Sequence, residues 1–280
     1  LVDMCGRYGA KVVEVSAPWG EALSLDTLTQ AVEQHKPAVL ALVHAETSTG
    51  VQQPLDGIGD LCRAHDCLLL LDTVTSLGGV PLYIDEWKVD LAYSCSQKGL
   101  SCPPGLGPFT MGPRAEAKMT ARQGKVPNWY LDVSLLNQYW GSDRVYHHTA
   151  PVNMNFGMRE ALRLLAEEGL DQAWARHRSN AEMLWNGLES LGLSMHVPAE
   201  RRLPTLTTVR IPEGVDGKAF SQHLLNNHGI EVGGGLGSLA GKIWRIGLMG
   251  YNSTPENVNR LLNLFETELP RFSGSVAAAA

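Results

Sequence analysis

The stretch Cys67-Leu-Leu-Leu-Leu-Asp-Thr-Val-Thr-Ser76 decides how the chain folds. Four leucines in succession, with no polar alternation, suit a short strand buried on both faces, the position of a strand inside a parallel sheet covered by helices. Working outward, Ala38 to His44 is a second, nearly continuous apolar run and Leu91 to Ser94 a third. Helical spacing fills the intervals. Ser24 is placed to cap a helix whose Leu25, Leu28, Ala31 and Val32 share one face; Pro37 stops it, and Ile58, Leu61 and Cys62 mark the next. Lys11 to Val15 is a further β-branched run of strand length. Strand and helix in alternation predict an α/β fold, a mostly parallel sheet flanked by helices with right-handed crossovers.

In such sheets ligands bind outside the carboxyl ends of the strands. The polar segments His44-Ala-Glu-Thr-Ser-Thr-Gly50, Asp72-Thr-Val-Thr-Ser76 and Ser94-Cys-Ser-Gln-Lys98 each follow a buried run, so all three gather at that edge. An acid, hydroxyls and a lysine meet there. A lysine amine is a nucleophile only when partly deprotonated, which desolvation or a neighbouring cation promotes. Lys98 follows an apolar strand, is the only charged residue between Leu91 and Pro113, and precedes the turn formers Gly99 and Pro103-Pro-Gly105. Taken alone, a lysine is more often a solvated surface residue. Asp72 reads equally well as a capping residue or a site residue.

From Gly169 the pattern changes. Leu170 to Leu191 reads as a long amphipathic helix, followed by a strand at Thr205 to Ile211, a helix near Ala219 to Asn226, a turn at Gly233 to Gly237, a strand at Ile243 to Ile246 and a last helix, Pro255 to Leu269. This predicts a large domain over 1–168, a smaller C-terminal α+β domain over 169–272 and a small-residue tail over 273–280.

Composition narrows the function. A formal charge of -6 with no Lys/Arg cluster argues against nucleic acid. No stretch approaches the roughly 20 apolar residues of a membrane span. Five cysteines without a C-x-x-C pair signal neither a disulfide framework nor zinc and fit a reducing, intracellular compartment. No metal is expected: His147 and His148 are neighbours with no acidic or cysteine partner spaced to complete a site. Gly235-Leu-Gly-Ser-Leu-Ala240 matches a dinucleotide pattern but precedes a strand instead of a helix, so a backbone turn is expected. Cys95 and Cys102 read as small packing residues. The first residues read as the middle of a helix running into a turn, from which an N-terminal truncation is expected.

Four segments together resemble a known family. Leu68-Leu-Leu-Leu-Asp-Thr-Val-Thr-Ser-Leu-Gly-Gly79, Ser94-Cys-Ser-Gln-Lys-Gly-Leu-Ser-Cys-Pro-Pro-Gly105, Tyr146-His-His-Thr149 and Trp244-Arg-Ile-Gly-Leu-Met-Gly250 are similar, in the same order, to those of the alanine-glyoxylate and serine-pyruvate aminotransferases, pyridoxal phosphate enzymes of the aspartate-aminotransferase fold type. The resemblance covers nearly the whole chain except the Ala tail. It implies that Lys98 holds pyridoxal phosphate as a Schiff base and then acts as general base and acid. It implies that Asp72 pairs with the pyridinium nitrogen, Val74 packs on the ring, Thr47 supplies a hydroxyl near the cofactor and Gln97 lies beside the phosphate. Tyr146 and Thr149 are implied to reach the phosphate of a neighbouring subunit, hence a homodimer. Arg245, otherwise read as an ordinary paired arginine at a strand end, is implied to clamp the substrate carboxylate.

The implied reaction moves the amino group of L-alanine or L-serine to glyoxylate, giving glycine and pyruvate or hydroxypyruvate. Alternatives are 3-hydroxykynurenine as donor, a cysteine desulfurase using a mobile Cys102, or an inactive truncated subunit. The family's N-terminal phosphate loop and ring-stacking aromatic have no counterpart in these residues. Peroxisomal and cytoplasmic locations both remain open at this level.

Overall fold

A computed structural model describes residues 1–274. The expected tail therefore lies, from residue 275 onward, outside the described residues. The first part runs α1 (Val2–Arg7), α2 (Leu25–His35), β1 (Val39–Val43), β2 (Ala45–Glu46), β3 (Val51–Gln52), α3 (Ile58–Ala64), β4 (Leu68–Asp72), β5 (Leu91–Tyr93), β6 (Phe109–Met111), α4 (Pro113–Thr120), α5 (Val133–Trp140) and α6 (Val152–Glu168). Its main sheet has the order β1-β4-β5-β6. The leucine run lies inside it: β4 pairs in parallel with β1 on one side and β5 on the other, while β6 closes the far edge antiparallel.

The local reasons are those visible in the chain. The Ser24 hydroxyl accepts the Thr27 N–H, and α2 ends one residue before Lys36 turns left-handed (φ 46°) ahead of Pro37. Leu28 and Val32 are its buried face; Leu28 meets Ile58 and Cys62 of α3 and Leu42, Leu69 and Leu71 of the sheet in one core. Burial of each such side chain contributes about 1.5–3 kcal/mol. Arg114 of α4 ties that helix to the sheet: its Nη1 donates to the buried Asp90 carboxylate (2.9 Å), which also accepts the Leu69 N–H (2.9 Å).

One expectation is corrected. Lys11 to Val15 forms no strand among the described residues, and Val12 and Val13 are 39% and 44% exposed. β-Branched residues favour a strand only where a neighbouring strand takes up the backbone hydrogen bonds, and no described strand lies beside this run.

The remainder comprises α7 (Leu170–Ser190), β7 (Leu206–Arg210), α8 (Gly217–His228), β8 (Gly233–Gly234), β9 (Ile243–Gly247) and α9 (Pro255–Glu268), with a short 3-10 turn at Leu269–Phe272. Its antiparallel sheet has the order β7-β9-β8. Gly233 and Gly234, expected as a turn, are an edge strand, because they sit opposite Arg245 and Trp244 of β9. Helices α7, α8 and α9 cover this sheet through a core centred on Phe220, whose ring meets Trp244 edge-on at 5.4 Å and Phe265 at 5.0 Å. Gly237–Leu239 is a 3-10 turn leading into β9, as the failed dinucleotide pattern required. Among the described residues no helix is long and apolar enough to cross a membrane.

His44, at the exit of β1, carries a pH dependence. It is buried against the edge of Trp87 (5.3 Å), its Nδ1 has no hydrogen-bond partner, and burial lowers its pKa from 6.5 to about 4. Between these values the unfolded chain binds a proton that the folded chain does not. Stability is therefore complete above about pH 6.5 and is lost as pH falls toward 4, by on the order of 3 kcal/mol from this residue. Urea unfolding at pH 7, 5.5 and 4.5 should show a shallower acid loss for His44→Leu than for the parent; parallel pH dependences would refute this assignment.

Candidate active site

The carboxyl ends of β4 and β5 finish side by side, with Asp72 and Tyr93 in register. The Tyr93 hydroxyl donates to Asp72 Oδ2 at 2.5 Å, and the Val74 N–H donates to Asp72 Oδ1 at 2.9 Å. Two donors from different elements thus fix the plane of the carboxylate. Burial, reinforced by the bond to Asp72, drives the Tyr93 phenol well above the ordinary tyrosine range, so it remains a donor. Tyr93 was not picked out in the chain as a site residue. The signal that could have found it is the paired ending of two apolar runs, which puts their last residues next to each other.

Beyond β5 the chain is pinned before and after the lysine. The Ser94 hydroxyl donates to Thr73 O (3.0 Å), the Ser96 hydroxyl donates to Pro103 O (2.7 Å), and the Cys102 N–H donates to Ser96 O (3.0 Å). Between these anchors Lys98 begins a turn closed by the Ser101 N–H on its carbonyl (2.9 Å). Lys98 is half-buried and Gln97 exposed. The turn docks on the C-terminal part through the Tyr251 N–H, which donates to Ser101 Oγ (2.8 Å); within that part the neighbouring Gly250 N–H donates to Nε2 of the buried His177 (2.8 Å). His177 Nδ1 in turn contacts Ala173 O at 2.6 Å, and burial lowers its pKa, so a neutral ring locks this junction to α7.

Docking shapes an open cavity of about 540 Å³ lined by Gln97, Lys98 and Ser101 from the large-sheet part and Arg245, Met249 and Tyr251 from the C-terminal part. Arg245, on β9, donates from Nε to Gly234 O (2.7 Å) and from Nη1 to Thr47 O (3.1 Å). No described carboxylate pairs with it. Among the described residues the guanidinium is oriented by two carbonyls. The charged residues lining the cavity are Lys98 and Arg245, both cationic, so its field favours anions.

Other candidates lie elsewhere. Asp72 ends β4 and Val74 follows it by two residues; neither of them nor Thr47 is in the cavity lining, and Thr47 touches the group only through its carbonyl, which accepts from Arg245. Tyr146 and Thr149 are not in the cavity lining. Their hydroxyls contact each other at 3.0 Å, and Tyr146 is 71% exposed. His147 stacks on Trp129 (4.0 Å between centroids) and contacts His148 through Nδ1 at 2.9 Å. Cys102 is 5% exposed with its backbone held by Ser96, unlike the mobile, exposed thiol that desulfurase chemistry needs.

Comparison with known proteins gives one answer. Residues 1–261 match the family model for class-V aminotransferases. The alanine–glyoxylate aminotransferase of Oryctolagus cuniculus is 46% identical over 260 residues, covering 91% of this chain and 66% of that protein. A solved alanine–glyoxylate aminotransferase from Nostoc sp. superimposes with a TM-score of 0.93 at 64% identity, covering 95% of this chain and 70% of that one. The ureidoglycine–glyoxylate aminotransferase of Bacillus subtilis gives 0.94 at 39% identity, covering 97% and 70%. The chain spans 63–66% of the length of the mammalian alanine–glyoxylate aminotransferases that it matches. Matched over nearly all its length by the family model and by these relatives, the chain belongs to the class-V aminotransferases, a family of pyridoxal phosphate enzymes.

Proposed function

We propose that the protein transfers the amino group of L-alanine to glyoxylate, giving pyruvate and glycine. The observation that carries this reading is the cavity whose charged walls are an amine, Lys98, and a guanidinium, Arg245, that has no carboxylate partner among the described residues; on the strand that ends in the same sheet, the Asp72 carboxylate is held by two donors. This donor set suits pyridoxal phosphate: an amine to hold it, an acid for its ring nitrogen and cationic walls for anionic groups. Bound there, the cofactor supplies an electron sink for the bond broken at the substrate α-carbon.

The residues divide the work as follows. Lys98 Nζ holds the cofactor, then takes up the α-proton and returns it as the amino group moves. Asp72 would pair with the ring nitrogen and keep it protonated, with Tyr93 and the Val74 N–H setting the carboxylate plane. Val74 would pack on the ring, Thr47 would offer its hydroxyl and Gln97 would lie beside the phosphate. Arg245 grips the carboxylate of donor and acceptor alike through paired hydrogen bonds, orienting the α-carbon. Tyr146 and Thr149, exposed and outside the cavity lining, would serve the phosphate of a second copy in a homodimer. The division into a cofactor-holding part, 1–168, and a smaller part carrying Arg245, 169–272, goes with this assignment.

A second reading has ureidoglycine as donor, favoured by the likeness to the Bacillus subtilis structure; glyoxylate is acceptor in both. Glycine formation from glyoxylate should be measured with alanine, serine, 3-hydroxykynurenine and ureidoglycine as donors. Alanine is expected to give the highest kcat/KM. Glycine formation no faster than without protein for every donor would sink the transaminase reading, and sulfide release from cysteine would replace it with desulfurase chemistry.

A further inference from the structure

The C-terminal part holds a cluster for which the proposed reaction has no use. His223 lies in α8, His228 is its last residue, and Glu268 ends α9; one ligand atom from each lies within 4.8 Å of the others. The acid is 45 residues from the first histidine, so no metal-ligand spacing is visible along the chain. Folding brings them together. His223 Nε2 is 3.0 Å from Glu268 Oε2, and the two imidazole rings lie 5.4 Å apart at 66°. The Phe272 ring, 5.2 Å from His223 and 5.5 Å from Phe220, lies beneath the cluster, and all three candidate ligands are half-buried.

We propose that His223, His228 and Glu268 form a zinc site, with water as fourth ligand, which ties the end of α8 to the end of α9 and the Leu269–Phe272 turn. Two imidazole nitrogens and one carboxylate oxygen are a zinc donor set, and imidazole disfavours magnesium and calcium. An outer partner is already in place. The Asn227 side-chain amide lies 2.6 Å from His223 Nδ1, and turning that amide over lets its oxygen accept Nδ1–H, freeing the Nε2 lone pair for the metal. Two cations adjoin the cluster. Arg271 donates from Nη1 to Glu268 Oε2 (2.6 Å), leaving Oε1 without a hydrogen bond among the described residues, and Arg260 donates from Nη2 to the His228 carbonyl (2.6 Å). The Arg271 side chain is 66% exposed and free to turn to solvent when the carboxylate takes a metal.

Purified protein, stripped of metal and then freed of chelator, is titrated with Zn²⁺ alone. One zinc per chain is expected, with a rise in Tm of about 5 °C at a hundredfold excess over Kd. His228→Asn and Glu268→Gln should each weaken binding at least about tenfold, the usual effect of disturbing a metal's ligand set. Their far-UV circular dichroism should match the parent. Arg271→Ala, which removes the competing cation, should tighten binding. Cobalt in place of zinc should bind without a thiolate charge-transfer band, distinguishing this cluster from the buried neighbours Cys62 and Cys67. Absence of zinc binding, equal affinity in His228→Asn and Glu268→Gln, or a thiolate band would overturn the proposal.

Discussion

Replacing Lys98 with alanine is expected to lower transamination by about 10⁴-fold or more, since proton transfer by a positioned side chain alone contributes up to that factor. The visible absorbance of the lysine-bound cofactor should disappear with it. The fold should persist. The hydrogen bond that shapes the turn is from the Ser101 N–H to the Lys98 carbonyl, which alanine retains, and the neighbouring anchors belong to Ser96 and Ser101. Added small amines should restore part of the rate by supplying the missing base. A Lys98→Ala protein with parental spectrum and turnover would remove the basis of the proposed function.

The Arg245→Ala change is expected to reduce kcat/KM by about 10²–10⁴-fold for both amino donor and glyoxylate. Two hydrogen bonds between a guanidinium and a carboxylate, at about 1.5–3 kcal/mol each, set this magnitude. Because donor and acceptor each present a carboxylate, both half-reactions should suffer. Arg245→Lys should recover only part of the loss, since an ammonium keeps the charge but lacks the planar fork. The bonds to Gly234 O and Thr47 O explain why the fork is poised without substrate, and their loss should cost stability by no more than about 1–3 kcal/mol. Steady-state kinetics in each direction, with Tm as control, tests this. Unchanged KM for both substrates in Arg245→Ala would mean that another group binds the carboxylate.

Tyr93 and the Val74 N–H orient the Asp72 carboxylate before any ligand arrives, so in the proposed role it would not have to move to meet a ring nitrogen. Such preorganisation is what a site gains from resting on strand ends instead of on a mobile loop. The lysine, by contrast, lies on a loop, held by the Ser94 and Ser96 anchors and by the Tyr251 N–H bond to Ser101 Oγ from the C-terminal part.

The chain by itself determined the elements and their edge. Apolar runs without alternation meant strands covered on both faces, Ser24 and Pro37 bracketed a helix, and polar residues after each run had to meet at the carboxyl edge. These follow from neighbours in sequence, through side-chain periodicity and capping, and so are legible locally. The failure at Lys11 to Val15 marks the limit, since a strand exists only where a partner accepts its hydrogen bonds. Everything needing register or docking was settled in three dimensions: the Tyr93–Asp72 bond by the β4–β5 alignment, the orientation of Arg245, which has no carboxylate partner among the described residues, by its bonds to Gly234 O and Thr47 O, and the His223–His228–Glu268 cluster by the packing of α8 against α9. The physical reason is range. Burial patterns report which side of an element is covered, whereas the identity of the covering residue depends on contacts across scores of residues that no local pattern encodes.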